Sequence, residues 1–239
     1  MPSIFRYTIS ICVAFFLCAL VQAQEKKNAA PVKKITAPKI DYSPTGIRVG
    51  TDVISLVKTS SGKTFRGWEL NGDIDFSKYY VAVDIGSWAK DITLGNGNYH
   101  NAGNYFRAGV DVNFLGKDPD RNMFFIGFRV GRSLFNESLT YQATSPLFTP
   151  ALNSVNNSRV SGGWGEFTTG LRVKVWKGLW MGYTARMKFA PSTHGNDPNF
   201  LPYDMPGYGI VSNKIWWGFN YQVFWRFGWK QPKLPAVKK

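Results

Sequence analysis

The stretch KIWWGFNYQVFWRFGW, residues 214–229, sets Ile215, Trp217, Phe219, Tyr221, Val223, Trp225 and Phe227 in alternation with Gly218, Asn220, Gln222 and Arg226. Side chains repeating with a period of two stand on opposite faces of a β-strand. One face of this strand is therefore large, apolar and aromatic, and the other is polar and charged. The mean hydropathy of the chain is −0.20, so the segment does not belong to a generally apolar protein. It asks for two unlike environments, one on each side of a sheet.

Seven further runs alternate in the same way, at residues 47–53, 68–76, 79–86, 106–114, 124–131, 166–175 and 179–189. The links between them differ in length. Ser77-Lys78, GKDPDRN (116–122) and Lys177-Gly178 are tight, with Gly, Pro and Asp supplying reversal angles. KTSSGK (58–63), KDITLGNGNYHNAG (90–103) and residues 135–161 and 190–213 are the longer connections on the other side. Short turns on one side and long loops on the other predict an all-β, eight-stranded antiparallel up-and-down transmembrane barrel over residues 45–229. An even strand count places both chain ends on the short-turn side.

The flanks fit an exported chain. Arg6, the apolar run ISICVAFFLCALV and the small residues before Gln24 read as a cleaved signal peptide, residues 1–23. Residues 24–44 form a Lys/Pro/Ala-rich tail and residues 230–239 a basic C-terminal tail, both expected in the periplasm. Cys12 and Cys18 are the only cysteines and both fall in the leader, which removes disulfides and thiolate metal sites from the mature chain. Setting Arg6 aside lowers the formal net charge from +14 to +13. Export argues against nucleic acid as the partner of this charge, leaving membrane surfaces and acidic proteins. No other apolar run is long enough for a membrane helix.

A soluble sandwich also alternates, but with its apolar face inward and with Greek-key connections. Here the polar face carries Arg48, Asp52, Glu69, Asp73, Asp75, Asp84, Arg107, Asp111, Arg129, Glu166, Arg172, Lys174, Arg186, Lys188 and Arg226, seven acids against eight bases. That near balance suits a narrow shared interior, where an unpaired charge is costly. Trp68, Tyr79, Phe114, Trp176, Trp217, Trp225 and Phe227 are expected to face lipid, near strand ends, as an interfacial girdle. An eight-stranded barrel is just filled by its side chains, which excludes a wide pore.

The leader ending Ala23-Gln24, the strand-and-turn rhythm and the aromatic last strand YQVFWRFGW resemble the small eight-stranded outer-membrane barrels, in particular an uncharacterised outer-membrane β-barrel family of Bacteroidota, over residues 44–229. The chain departs from that pattern in continuing past the aromatic strand with KQPKLPAVKK. The resemblance implies outer-membrane localisation and adds, as one option, an accessory role in an envelope assembly complex.

Little chemistry is legible. His100 and His194 are the only histidines, both expected in outer loops. A functional reading pairs them with each other, or one of them with Ser192, Asp197 or Asp204 for acid–base work. The simpler reading is a solvated loop histidine. GNG (95–97) and SGGWG (161–165) lack the strand-to-helix setting of a phosphate loop. No catalytic residue, cofactor or metal site is assigned. The expected function is a non-enzymatic structural or interaction subunit of the envelope. Its partners would be outer-membrane lipid and other envelope proteins, reached through the outer loops or the basic tails. A loop-centred lipid-modifying or proteolytic enzyme and a narrow channel or small-molecule binder are the alternatives.

Overall fold

The computed structural model describes residues 42–229 apart from 117, 146, 147 and 196–200. The leader, nearly all of the first tail, the C-terminal tail and Asp197 lie outside the described residues. Ten strands and one helix follow in order: β1 (Gly46–Asp52), α1 (Val53–Ser61), β2 (Phe65–Phe76), β3 (Tyr79–Leu94), β4 (Gly97–Asn113), β5 (Met123–Ser145), β6 (Phe148–Trp176), β7 (Leu179–His194), β8 (Asp204–Met205), β9 (Gly209–Ile210) and β10 (Ile215–Gly228).

Eight strands make one antiparallel sheet that closes into a ring, running β1 to β7 in sequence and then β10, which returns to β1. The ring shuts with Gly46 opposite Gly228 and Asp52 opposite Gln222. β8 and β9 form a separate small ribbon. At one end, the turn end, the strands reverse at Ser77-Lys78 and Lys177-Gly178. Two-residue reversals need positive φ to match strand twist, and Ser77 and Lys177 adopt φ of 63° and 27°. The chain enters and leaves the ring at this end.

The parity of the side chains is the parity of the sequence. Val110, Phe128 and Phe219 point away from the ring and are 45, 46 and 66 % exposed, so no second sheet covers them. The alternate residues are enclosed. Among the described residues no helix is long and apolar enough to cross a membrane, which says nothing about crossing by strands.

Four segments depart from the sequence reading. Residues 53–61, expected to end a strand and open a link, form α1, because Asp52 caps the helix by accepting from the Ser55 N–H at 3.1 Å. The links at 90–103 and 135–161 are not loops: β3 and β4 run on to a turn at Gly95-Asn96, and β5 and β6 extend to Ser145 and Phe148. His100 and His194 accordingly sit in β4 and β7. The fourth departure lies within 201–213, where residues 204–210 fold back onto the ring interior instead of projecting.

Candidate functional site: the ring interior and its mouth

The middle of the interior brings together five guanidinium groups, Arg48, Arg107, Arg129, Arg172 and Arg186, and five carboxylates, Glu69, Asp73, Asp84, Asp111 and Glu166, each 4 % exposed or less, while the equally buried Asp52, Asp75, Glu137 and Asp204 lie toward its two ends. The central groups come from seven of the eight strands and meet because every one has inward parity. Arg48 Nε lies 2.8 Å from Asp73 Oδ1, and Arg172 Nη1 lies 2.5 Å from the other oxygen of that carboxylate. Arg129 joins Asp84 at 2.5 Å and Asp111 at 2.7 Å. Arg186 bridges Asp84 at 3.1 Å and Glu166 at 3.0 Å, and Arg107 pairs with Glu69. Equal numbers of fixed charges in mutual contact remove most of the cost of burying any one of them.

Aromatic groups complete the packing toward the turn end. The Arg48 guanidinium stands over the Tyr80 ring at 4.8 Å and Trp180 at 5.2 Å, and Arg172 over Phe125 at 4.8 Å and Phe224 at 4.7 Å. Sequence reasoning missed these four aromatics. The available signal was parity: Tyr80 keeps step with Ala82 and Asp84, Phe125 with Gly127 and Arg129, Trp180 with Gly182 and Thr184, and Phe224 with Gln222. The cations they cover explain why aromatic rings stand inside.

At the turn end Asp75 gathers the Thr45 N–H (2.6 Å) and hydroxyl (2.7 Å), Arg226 (2.9 Å) and Arg121 (2.5 Å), pinning the start of β1 to β2 and β10. Burial, with the neighbouring Arg226, holds the Arg121 guanidinium below the usual arginine range although Asp75 opposes the shift. Three expected members of the interior network play other parts. Asp52 caps α1 and accepts the Tyr221 N–H at 3.0 Å. Arg226 is half-buried at the rim. Lys174, expected inside, is exposed beyond the end of the enclosed zone and reaches Asp120 at 3.0 Å.

The mouth at the other end, the loop end, is closed by residues 203–210. Asp204, fully buried, accepts from Asn101 Nδ2 at 3.0 Å and pairs with Lys90 at 3.3 Å. Met205 and Tyr208 pack with Tyr105, Phe135, Val160 and Trp164. Gly207, at φ +84°, passes where a Cβ would strike Tyr105 and Trp164, so only glycine lets the ribbon turn here. Lys188 Nζ donates to the carbonyls of Gly207 and Tyr208 at 2.8 and 2.9 Å. A cavity of about 570 Å³ remains beside this plug, between α1, β2 and β10.

The expected girdle residues Trp68, Tyr79, Phe114, Trp176, Trp217, Trp225 and Phe227 are all exposed on the outer face. Of the histidines, His100 Nδ1 is 2.5 Å from Asp91 Oδ1, both groups nearly half exposed. Asp91, His100 and Ser138 are directly opposite one another on β3, β4 and β5. His194 of β7 lies opposite Ser161 of β6 and three strands from His100 on β4, so the two histidines do not form a pair. Among the described residues no three His, Cys, Asp or Glu side chains come together as a metal site.

No curated protein and no solved structure matches this chain significantly. One protein-family profile does match, over residues 4–228, and is described as a domain of unknown function, DUF6048. With nearly its whole length covered, the chain belongs to the DUF6048 family.

Proposed function

We propose that this protein is an eight-stranded transmembrane β-barrel of a Gram-negative outer membrane, of the small Bacteroidota type it resembles, and that it serves as a non-enzymatic structural or interaction subunit of the envelope. On this reading a signal peptide is removed after Ala23, both ends of the mature chain lie in the periplasm, and acyl chains cover the outer face. The observation that carries it is the pairing of an exposed apolar exterior with a charge-balanced, filled interior. A water-soluble protein gains nothing from that inversion. The outer face of β5 is apolar from Phe124 to Val130, with Arg132 standing before Leu134; these six steps of about 3.3 Å inclined at about 40° rise about 15 Å, within the height of a barrel's lipid belt.

The filled interior also argues against a conducting pore. What is left to act is the surface: the mouth, the extended β5–β6 hairpin and the basic tails. Attraction of lysines to anionic head groups is worth about 1 kcal/mol each near a membrane, and the same charge suits an acidic envelope partner. Mild detergent purification from native membranes tests the role. A stoichiometric co-purifying envelope protein, lost when residues 24–44 or 230–239 are deleted, is expected. A solitary monomer with both tails dispensable would overturn it.

The cross-strand row Asp91, His100 and Ser138 favours a second reading, an outer-face hydrolase, in which Asp91 orients His100 and His100 serves Ser138 as base. Among the described residues no hydrogen bond joins Ser138 to His100. An unchanged envelope lipid profile in His100→Ala cells would remove this reading.

A further inference from the structure

At the loop end the ring is held by side chains where strand pairing stops. β1 ends at Asp52, so residues 215–221 of β10 pair with β7 alone and residues 65–69 of β2 pair with β3 alone. α1 touches both strands across this seam. The β2 edge is satisfied: the Thr59 hydroxyl accepts from the Gly67 N–H at 2.8 Å and lies 2.7 Å from the Gly67 carbonyl, and the Thr51 hydroxyl donates to the Glu69 carbonyl at 2.8 Å. On β10 Asp52 takes the Tyr221 N–H, and the edge beyond has no strand beside it.

The cavity at the mouth reaches around that free edge. It is lined by Lys188 and Asn220, which point into the ring, and also by Trp217 and Phe219, which stand on the outer face of β10. A space bordered by both faces of one strand opens sideways as well as inward.

Its charges do not cancel. Arg107 is held by Glu69 and Lys90 by Asp204, and Asp52 is occupied by α1 and Tyr221. Lys188, 6 % exposed, lies outside the balanced set of five and five. Its cross-strand neighbour Glu166 acts on it through space but hydrogen-bonds Trp164 and Arg186, and among the described residues its own ammonium meets only the two backbone carbonyls. Among the described residues no carboxylate lies within 4 Å of Lys188 or of Lys58 on α1. The indole N–H of Trp88, on the same cavity wall, is buried without an acceptor. A buried cation with no carboxylate in contact is costly, and a volume of several hundred Å³ mixing apolar walls with a few converging donors is the usual form of a ligand site.

We propose that this cavity binds one anionic amphiphile, its carboxylate or phosphate head on Lys188 and Lys58 and its apolar chain leaving between α1 and β10 along Ile54, Trp217 and Phe219. This goes beyond the structural role proposed above. The sideways exit of the chain rests on the membrane reading, whereas the head-group site does not. The full chain folded in uncharged maltoside micelles is titrated by native mass spectrometry with hexadecanoate, hexadecyl phosphate, methyl hexadecanoate and inorganic phosphate. One saturable adduct is expected with either or both of the first two, and which of them binds identifies the head. Lys188→Met and Lys58→Met should each weaken it at least tenfold. Gly218→Leu should abolish it, because a Cβ at Gly218 meets Lys188 Nζ at 3.1 Å and the side chain fills the cavity. Unshifted heat-modifiable migration certifies each variant's fold, and if Lys188→Met does not fold the other two carry the test. Absence of any adduct, equal binding of the methyl ester, unchanged binding by the folded variants, or inorganic phosphate binding as tightly as hexadecyl phosphate would each overturn the proposal. Vesicle flotation tests insertion independently, so a failure here and a failure of the membrane reading are told apart.

Discussion

Replacing Arg129 by Met removes the guanidinium that joins two carboxylates in the middle of the ring. Its Nη1 lies 2.5 Å from Asp84 and its Nη2 2.7 Å from Asp111, and Arg129 and Asp111 are both completely enclosed. Methionine keeps most of the length and the apolar stem, so the variant tests charge more than space. Asp84 retains Arg186 at 3.1 Å and Arg107 at 3.4 Å. Asp111 is left with Arg172 at 3.7 Å and the Thr168 hydroxyl at 3.3 Å. Removing one partner of a buried ion pair costs about 3–5 kcal/mol. Because Asp84 keeps two guanidiniums, most of the penalty falls on Asp111, and a loss near the lower bound, about 3 kcal/mol, is expected. Adding Asp111→Leu removes the stranded charge and should restore about 2 kcal/mol, since an apolar replacement of a whole pair is often neutral. The assay is the urea midpoint of the chain folded in vesicles, followed by tryptophan emission, with the slope unchanged. A loss under about 1 kcal/mol for Arg129→Met, or a double variant less stable than the single, would refute the argument that the interior is held by compensated charge.

Val110→Arg places a cation near the middle of the apolar outer run of β4 and should cost about 2–4 kcal/mol in vesicles; equal urea midpoints for variant and parent would count against a lipid-facing wall. Gly127→Leu sends a side chain into the Asp111 carboxylate and the Thr168 hydroxyl and should cost about 1–3 kcal/mol by overpacking, seen as a lower midpoint, whereas Gly95→Ala, with open space around it, should not. Asp52→Ala removes the α1 cap, worth about 1 kcal/mol, and frees the Tyr221 N–H; limited proteolysis should cut within residues 53–64 of the variant and spare the parent. Planar bilayers holding the pure protein should show no conductance steps, because the plug at 203–210 and the salt network fill the lumen.

Much of the ring was legible because its signal is periodic. A strand buried on one face repeats its environment every second residue, so Arg107, Asp111, Arg129 and Arg186 could be assigned to one side without knowledge of their partners. Which carboxylate each would meet was not legible, because partners such as Arg172 and Asp73 lie four strands apart and depend on ring diameter and side-chain length. The longer connections were misread for the opposite reason. Residues 97–104 and 136–145 mix Asn, Ser, Thr and Gly, which mimic loop composition, and strand pairing with neighbours holds them extended. α1 hides behind a β-rich segment, VISLV, and only Asp52 three residues before Ser55 marks its start. The plug was carried by Met205, Tyr208 and Gly207 within a Pro- and Gly-rich stretch, where apolar side chains in an apparent loop were the available sign. The cavity was not readable at all: it exists because β1 is shorter than the strands on either side of it.

The central claim is that alternate side chains of the ring wall meet lipid while their neighbours are sealed inside. Since both cysteines, Cys12 and Cys18, lie before residue 24, single Cys substitutions at successive positions 105–112 of β4 in a chain that starts at Gln24 can each carry a nitroxide, and its collision rates with oxygen and with a water-soluble nickel chelate can be measured in vesicles. A period of two is expected, with oxygen favoured at 106, 108, 110 and 112 and neither reagent reaching 107, 109 and 111. Nickel access at 106–112 on the outer parity, or no alternation, would contradict it.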